Sequence, residues 1–119
     1  MRILVAGGAG FVPSHLADTL QDQGHEVVVI DNFVTGQKEN LVGFLKRGGR
    51  LVERDINAGV PSDLGKFDRI YNMASPASPV DFARMPIFIL NTALQGHQNL
   101  LKLATENRAR ILFASSSEV

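Results

Sequence analysis

The stretch that decides the fold is Ile3-Leu-Val-Ala-Gly-Gly-Ala-Gly-Phe-Val-Pro13, in which a short apolar run ends in a glycine-rich turn. The run at residues 3–6 is typical of a parallel strand buried on both faces, and residues 11–23 repeat apolar positions at helical spacing. Glycines between a strand and a helix let the backbone approach a pyrophosphate, which the positive end of the helix attracts. The stretch therefore predicts a dinucleotide-binding turn at Gly7 and Gly10.

Asp31 supports this prediction, because it ends a second apolar run at residues 27–30 and lies 21 residues after Gly10. A carboxylate at this place can accept hydrogen bonds from both hydroxyls of an adenosine ribose. The same charge would repel a 2′-phosphate, so the pattern favours NAD over NADP. A tight turn with an unrelated strand-ending aspartate is the structural alternative.

The rest of the chain continues the alternation of strands and helices. Apolar runs at residues 69–71 and 111–114, with a weaker one at 50–52, predict further strands, and residues 87–104 predict a long helix. A short helix is expected around residues 39–45, and the prolines of 75–79 indicate a loop. The pattern predicts the α/β class with right-handed crossovers.

The composition excludes several function classes. The chain has 119 residues with 12 basic and 12 acidic side chains, so no excess of positive charge predicts binding to nucleic acid or a membrane surface. The lack of cysteine agrees with a reducing compartment. The first apolar run breaks at Gly7, which leaves no room for the apolar region of a signal peptide, and no later run approaches the ~20 residues of a membrane span. We therefore expect a cytoplasmic protein. His15, His25 and His97 are isolated from one another, so no metal site is predicted.

Several longer motifs carry a resemblance to a known family. Ala6-Gly-Gly-Ala-Gly-Phe-Val12, His25-Glu-Val27 and Asp31-Asn-Phe-Val-Thr-Gly36 resemble the extended short-chain dehydrogenase/reductases, the NAD-dependent epimerase/dehydratase family. Tyr71-Asn-Met-Ala-Ser-Pro-Ala-Ser-Pro79, and Arg110-Ile-Leu-Phe-Ala114 running into Ser115-Ser-Ser-Glu-Val119, are more particularly similar to its UDP-glucuronate decarboxylase branch. The resemblance covers nearly the whole chain. It implies a Rossmann-type doubly wound parallel sheet of five strands in the order 3-2-1-4-5, with residues 1–119 as the NAD-binding domain.

The resemblance also implies roles for individual residues. The positions implied around the pyrophosphate and the adenosine ribose are Gly7, Gly10, Phe11, Val12, Asp31, Asn32, Phe33, Thr35 and Gly36. Those implied at the adenine edge, beside the cofactor and nearer its nicotinamide half are Asp55, Ile56, Met73, Ser75, Thr92 and Ala114. Asn99 is implied to contact the substrate, Ser116 to be the catalytic hydroxyl, and Glu118 to be an active-site carboxylate. A polar strand end that makes local turn bonds is the alternative for residues 115–117.

Three departures from the family pattern affect these expectations. Pro13 replaces the third glycine of the fingerprint. A proline in the first helical turn preserves the helix. Its bulk, however, is expected to push the helix away from the sheet and to loosen the phosphate site. Ala93 takes a position where the family has asparagine, and Asn91 is not expected to replace it. The family's catalytic Tyr-x-x-x-Lys pair is not among these residues, because the single tyrosine is Tyr71 and a serine follows four positions later. The isolated chain is therefore expected to be inactive.

For an intact relative, the resemblance implies a nucleotide-sugar substrate and a decarboxylation. NAD would oxidise the sugar of UDP-glucuronate at C4, the C5 carboxylate would leave as CO2, and hydride would return to give UDP-xylose. A 4,6-dehydratase, a 4-epimerase and a catalytically silent nucleotide-binding module remain the alternatives. The resemblance also implies a homodimer through the helix at 87–104, and an open sheet after its fifth strand predicts aggregation or self-association.

Overall fold

The computed structural model describes residues 1–74 and 83–115. Its strands form one parallel sheet in the order β3-β2-β1-β4-β5, which confirms the predicted topology. The strands are β1 (Arg2–Ala6), β2 (Glu26–Asp31), β3 (Arg50–Glu53), β4 (Arg69–Asn72) and β5 (Arg110–Phe113). The chain reverses its direction across the sheet between β3 and β4, so the carboxyl ends of β1 and β4 flank the switch point where ligands bind in such folds.

Helices cover both faces of this sheet. They include α1 (Phe11–Asp22), α2 (Val42–Lys46), α3 (Pro86–Asn91) and α4 (His97–Asn107), and short 3₁₀ turns lie at Lys38–Leu41, Ile56–Ala58 and Ser62–Leu64. The short helix predicted around residues 39–45 is therefore a 3₁₀ turn followed directly by α2.

The long helix predicted over 87–104 is interrupted by a π-helical segment, Thr92–Gly96, between α3 and α4. Gly96 lies against the 3₁₀ turn Ile56–Ala58, and a Cβ on Gly96 would stand 2.8 Å from Ile56 Cδ1. A side chain at this position would have to displace Ile56 or Asn57, so glycine permits the close approach of the helix to the turn. Periodicity alone did not predict this local contact, and π segments are frequent at functional sites.

The core has two layers, one on each face of the sheet. Leu4 of β1 packs with Leu100 of α4 on one face, whereas Val5 packs with Ala17 of α1 on the other. Because β1 and β2 are covered on both sides, their sequences are continuous apolar runs rather than alternating ones.

Among the described residues, apolar side chains are exposed in several places, two of which concern the helix predicted over 87–104 and the edge strand β5. Ile87, Leu90 and Leu94 are between 60% and 69% exposed along α3 and the π-helical segment, and Leu112 and Phe113 are about half exposed on β5. In the described part of the chain, no helix combines the length and apolar character that crossing a membrane requires.

Candidate nucleotide-binding site

The glycine turn after β1 is held tightly against the end of β4. The Gly7 amide donates to the Ile30 carbonyl at 2.8 Å, and Gly7 has a φ of +79°, a conformation that glycine adopts readily. A Cβ on Gly7 would stand 2.7 Å from both the Cα of Ala74 and the carbonyl oxygen of Met73. This position therefore requires glycine for its conformation and for its space.

Asp31 ties the end of β2 to the same turn. Its Oδ2 accepts a hydrogen bond from the Ala9 amide at 2.9 Å, and its Oδ1 accepts one from the Phe33 amide at 2.7 Å. Each carboxylate oxygen has two acceptor sites, so each keeps one for a further donor. Asp31 is only 9% exposed, and its two hydrogen bonds hold the carboxylate at the carboxyl edge of the sheet. The sequence predicted this residue at this edge, and its contact with a ribose stays a prediction.

The loop after β2 is seated on the glycine turn. The Gln37 amide and the Asn40 side chain both donate to the Ala9 carbonyl, at 3.0 and 2.9 Å. Gly36 is packed beside them, because its Cβ would stand 2.7 Å from Ala9 Cβ and 3.0 Å from the Oδ2 of Asp31. Asn40 had no signal in the sequence, since a single amide in a short helical segment resembles any surface residue.

The first residues of this loop form a compact turn. The Asn32 side-chain oxygen accepts from the Val34 amide at 3.1 Å, and Phe33 has a φ of +60°. Thr35 is exposed, between this turn and Gly36. Of the predicted ribose-side residues, Phe33 and Gly36 therefore lie directly against the Asp31 carboxylate.

Helix α1 begins without a side-chain cap. Gly10 is the N-cap residue and offers no capping side chain, and the Phe11 and Val12 side chains are exposed. By position, the Phe11 and Val12 amides have no intrahelical acceptor, whereas Pro13 has no amide N–H, so two amides at this end of α1 favour an anion.

Pro13 lies in the first turn of α1 without breaking it. The Ser14 amide donates to the Gly10 carbonyl at 3.0 Å, and a Cβ on Gly10 would be 3.4 Å from the Pro13 ring, an ordinary contact distance. Ser14 and Ala17 are buried, so α1 packs on the sheet. The helix survives as predicted, and a loosened phosphate site stays a prediction.

The turn Ile56–Ala58 is fixed from two sides. Asn99 of α4 donates from Nδ2 to the Ile56 carbonyl at 2.7 Å and to the Asn57 carbonyl at 3.3 Å. Arg54 donates from its Nη2 and Nε to the carbonyls of Ala58 and Gly59, each at 2.7 Å. The sequence analysis did not identify Arg54, because an exposed arginine after a strand carries no distinguishing pattern.

The two residues predicted at the adenine edge belong to this turn. Asp55 Oδ1 accepts from the Asn57 amide at 2.9 Å, and the Ile56 side chain is buried in the core. Asn57 also donates from Nδ2 to Thr92 Oγ1 at 3.3 Å. Thr92 is therefore buried beside this turn, and the Asn99 side-chain amide is bonded to the carbonyls of the same turn. Their predicted contacts with cofactor and substrate stay predictions.

The end of β4 completes the site. The Met73 amide donates to the Ala6 carbonyl and the Ala114 amide to the Asn72 carbonyl, each at 3.0 Å, so both predicted residues lie at the carboxyl edge. The buried Asn72 side chain bonds to His97 and to the Ala74 amide, and the sequence analysis did not assign it a role.

Three predicted site residues, Ser75, Ser116 and Glu118, lie outside the described residues. Within residues 1–74 and 83–115, no three histidine, aspartate or glutamate side chains are grouped as a metal site would need.

Comparison with known proteins assigns the family. The family model for the NAD dependent epimerase/dehydratase family matches residues 3–119. UDP-glucuronic acid decarboxylase 1 of Arabidopsis thaliana is 48% identical over the whole chain, which covers only 27% of that protein.

Solved structures with similar folds agree with this family assignment. A UDP-galactose 4-epimerase has a TM-score of 0.85 at 35% identity over the whole chain and 39% of its own length. The UDP-glucose 4-epimerase of Thermus thermophilus, solved in complex with NAD, has a TM-score of 0.82 at 32% identity over 98% of the chain and 38% of its own length. With the glycine turn and Asp31 placed together at the switch point, the chain belongs to the NAD-dependent epimerase/dehydratase family.

Proposed function

We propose that residues 1–119 are the NAD-binding part of an enzyme that modifies a nucleotide sugar, and that its whole protein decarboxylates UDP-glucuronate to UDP-xylose. The observation that carries the NAD assignment is the Asp31 carboxylate at the tip of β2, hydrogen-bonded to the Ala9 amide of the glycine turn. This arrangement sets a ribose acceptor beside a pyrophosphate turn, in the order in which NAD presents the two groups.

The residues present fit this cofactor. The Asp31 oxygens each keep an acceptor site after bonding to the backbone, which suits the two ribose hydroxyls. The uncapped start of α1 follows Gly10, where a diphosphate would meet backbone amides rather than a side chain. When bound, NAD supplies the hydride acceptor and donor for the sugar carbon.

The chain's own residues would bind and orient the nucleotide. Asp31 would hold the ribose, the first turn of α1 would hold the diphosphate, and the turn after Asp55 would border the adenine. Because Arg54 and Asn99 fix four carbonyls of residues 56–59, this border is formed before the nucleotide arrives. The arrangement would orient the nucleotide along the carboxyl ends of the strands.

The decarboxylase assignment is supported by the relative at 48% identity and by the Ser-Pro-Ala-Ser-Pro segment at residues 75–79. The Ser116 and Glu118 roles are proposed with it. A 4-epimerase is the second candidate, because three solved 4-epimerases match the fold with TM-scores of 0.82 to 0.85. A 4,6-dehydratase of the same family remains an alternative, and the Ser-Glu pair fits it better than it fits an epimerase.

Residues 1–119 alone would bind the nucleotide without turnover. Their single tyrosine, Tyr71, lies in β4 and packs against the core, and no lysine follows it at the spacing of the family's catalytic pair. We expect no UDP-xylose from UDP-glucuronate with this chain alone, and product above background would contradict that expectation.

We also propose that two copies of the whole protein associate through α3 and the π-helical segment. Ile87, Leu90 and Leu94 are each at least 60% exposed there, and exposed apolar side chains grouped on one segment are typical of association sites.

The test of the NAD assignment is a calorimetric titration with NAD and with NADP. We expect saturable binding of NAD and at least about 100-fold weaker binding of NADP, because the 2′-phosphate would face the Asp31 carboxylate. Asp31→Asn, which removes the charge, should reduce this discrimination. Asp18→Asn is the matched control, because the half-buried Asp18 carboxylate pairs with Arg47 rather than with the glycine turn, and it should leave the discrimination unchanged. Equal affinity for both nucleotides, or no binding of either, would overturn the assignment.

A further inference from the structure

His97 and Asn72 form a hydrogen bond whose direction the structure determines. The two partners are the His97 Nδ1 and the Asn72 Nδ2, 2.8 Å apart. The other amide atom of Asn72, Oδ1, faces the Ala74 amide at 3.1 Å, and a backbone amide can only donate. Oδ1 is therefore the atom at Ala74, and Nδ2 is the atom at His97. His97 Nδ1 must then be the acceptor, which requires a neutral ring with its proton on Nε2.

Asn72 connects this bond to the glycine turn. It is 2% exposed, so a lost partner would not be replaced by bulk water. Ala74, which Asn72 holds, stands so close to Gly7 that a Cβ on Gly7 would be 2.7 Å from the Ala74 Cα. His97, Asn72, Ala74 and Gly7 thus form a continuous series of contacts from α4 to the proposed diphosphate turn.

In the described elements, no group around His97 would compensate the positive charge that protonation would place on its ring. The Phe113 ring packs on the His97 ring at a tilt of 38°, with centroids 4.4 Å apart, and no described carboxylate forms an ion pair with His97. Tyr71 packs in the core layer on the opposite face of the sheet, and strand alternation directs Arg69 and Arg110 there too. Lys102 and Glu106 of α4 are exposed. Beside the turn Ile56–Ala58, Asp55 accepts from the Asn57 amide and Arg54 donates to the Ala58 and Gly59 carbonyls, so neither is paired with His97.

We propose that His97 is a pH-sensitive positioning residue for the nucleotide site, which holds Asn72 and Ala74 in place only when its ring is neutral. The inference rests on the proposed NAD site. A protonated ring carries N–H groups on both nitrogens, so Asn72 Nδ2 would meet a donor instead of an acceptor. Turning the amide over would satisfy His97 but set Nδ2 against the Ala74 amide. Either arrangement loses one buried hydrogen bond and disturbs the segment that contacts Gly7.

Histidine ordinarily changes charge between pH 5 and 8, which sets the pH range to be tested. The experiment measures NAD affinity at about pH 8 and about pH 5.5. We expect the wild-type chain to bind NAD about five- to tenfold more weakly at the lower pH, since one buried hydrogen bond is lost.

His97→Asn is the conservative variant, because its Oδ1 offers an acceptor near the Nδ1 position and does not titrate. It should keep the affinity of the wild type at about pH 8 and lose the pH dependence. His97→Leu removes the acceptor and should bind weakly at both values. His25→Asn is the matched control, because His25 contacts the N-terminal amine rather than Asn72 and its replacement should leave the pH profile unchanged.

A second measurement, made without nucleotide, separates this inference from the NAD assignment. The side-chain amide resonances of Asn72 should shift with pH together with the His97 ring resonances. Coincident titration with a pH-independent NAD affinity, or a pH dependence that persists in His97→Asn, would overturn the positioning role. Amide resonances that do not respond to His97 would also overturn it. Coincident titration without NAD binding at either pH would overturn the proposed function, and with it the nucleotide role of His97, while the bond to Asn72 would stand.

Discussion

Gly36 lies against Ala9 so closely that a Cβ on Gly36 would stand 2.7 Å from the Ala9 Cβ. This contact brings the loop after β2 onto the turn after β1, and the same Cβ on Gly36 would lie 3.0 Å from the Asp31 Oδ2. Two segments separated by a helix and a strand therefore form one surface. The sequence shows both as glycine-containing loops, but only their contact explains why the ribose acceptor stays beside the diphosphate turn.

Gly36→Ala should damage this surface. The added methyl group must displace Ala9 or Asp31, so we expect a loss of about 1 to 3 kcal/mol in the free energy of unfolding and weaker NAD binding. Urea unfolding and calorimetry measure the two effects. Gly43→Ala is the control, because its Cβ would meet only the flexible end of Arg47 at 3.3 Å, and alanine favours the helix. Equal behaviour of the two variants would contradict the close contact.

Pro13→Ala tests whether the proline ring loosens the phosphate site. Alanine removes the ring beside Gly10 and supports the helix, so we expect tighter NAD binding with little change in the free energy of unfolding. Pro13→Gly should tighten binding further but lower stability by about 1 kcal/mol, because glycine disfavours helical backbone. If neither variant binds NAD more tightly than the wild type, the ring has no effect on the site.

The fold was predictable because its signals are local or periodic. The continuous apolar runs of β1 and β2, the glycine turn and Asp31 each depend on burial or spacing, and the structure places all of them as expected. The bonds of Arg54 and Asn72 were not predictable, because each joins a single polar side chain to backbone or a side chain that the fold brings near. Such pairings leave no periodic signature.

Asn99→Ala should weaken nucleotide binding through the turn that it holds. Asn99 donates to the carbonyls of Ile56 and Asn57, but the Ile56 carbonyl also accepts from the Gly59 amide at 3.0 Å. Removing Asn99 therefore leaves the Asn57 carbonyl without this donor and should cost about 1 to 3 kcal/mol of stability. We expect NAD and AMP to lose affinity to a similar extent, because both contain the adenine that the turn would border. Titration with each ligand tests this, and the exposed Gln98→Ala on the same helix is the control.

A different result would restore the role that the resemblance implies for Asn99. If Asn99→Ala binds NAD and AMP as the wild type does, but binding of a UDP-sugar to the whole protein is lost, then the residue contacts substrate rather than positioning the turn.

The exposed face of α3 and the π-helical segment should control self-association. Ile87, Leu90 and Leu94 together expose an apolar surface that water solvates poorly, so burying it between two copies is favourable. We expect the chain to sediment as a dimer or larger species, and Leu90→Glu with Leu94→Glu to shift it toward the monomer. Val42→Glu is the matched control: Val42 is also exposed, but it begins α2, which packs on the α1 side of the sheet. A wild-type chain that sediments as a monomer at all concentrations would contradict the proposed interface. Dissociation by Val42→Glu alone would show instead that the copies associate through the face of the sheet covered by α1 and α2.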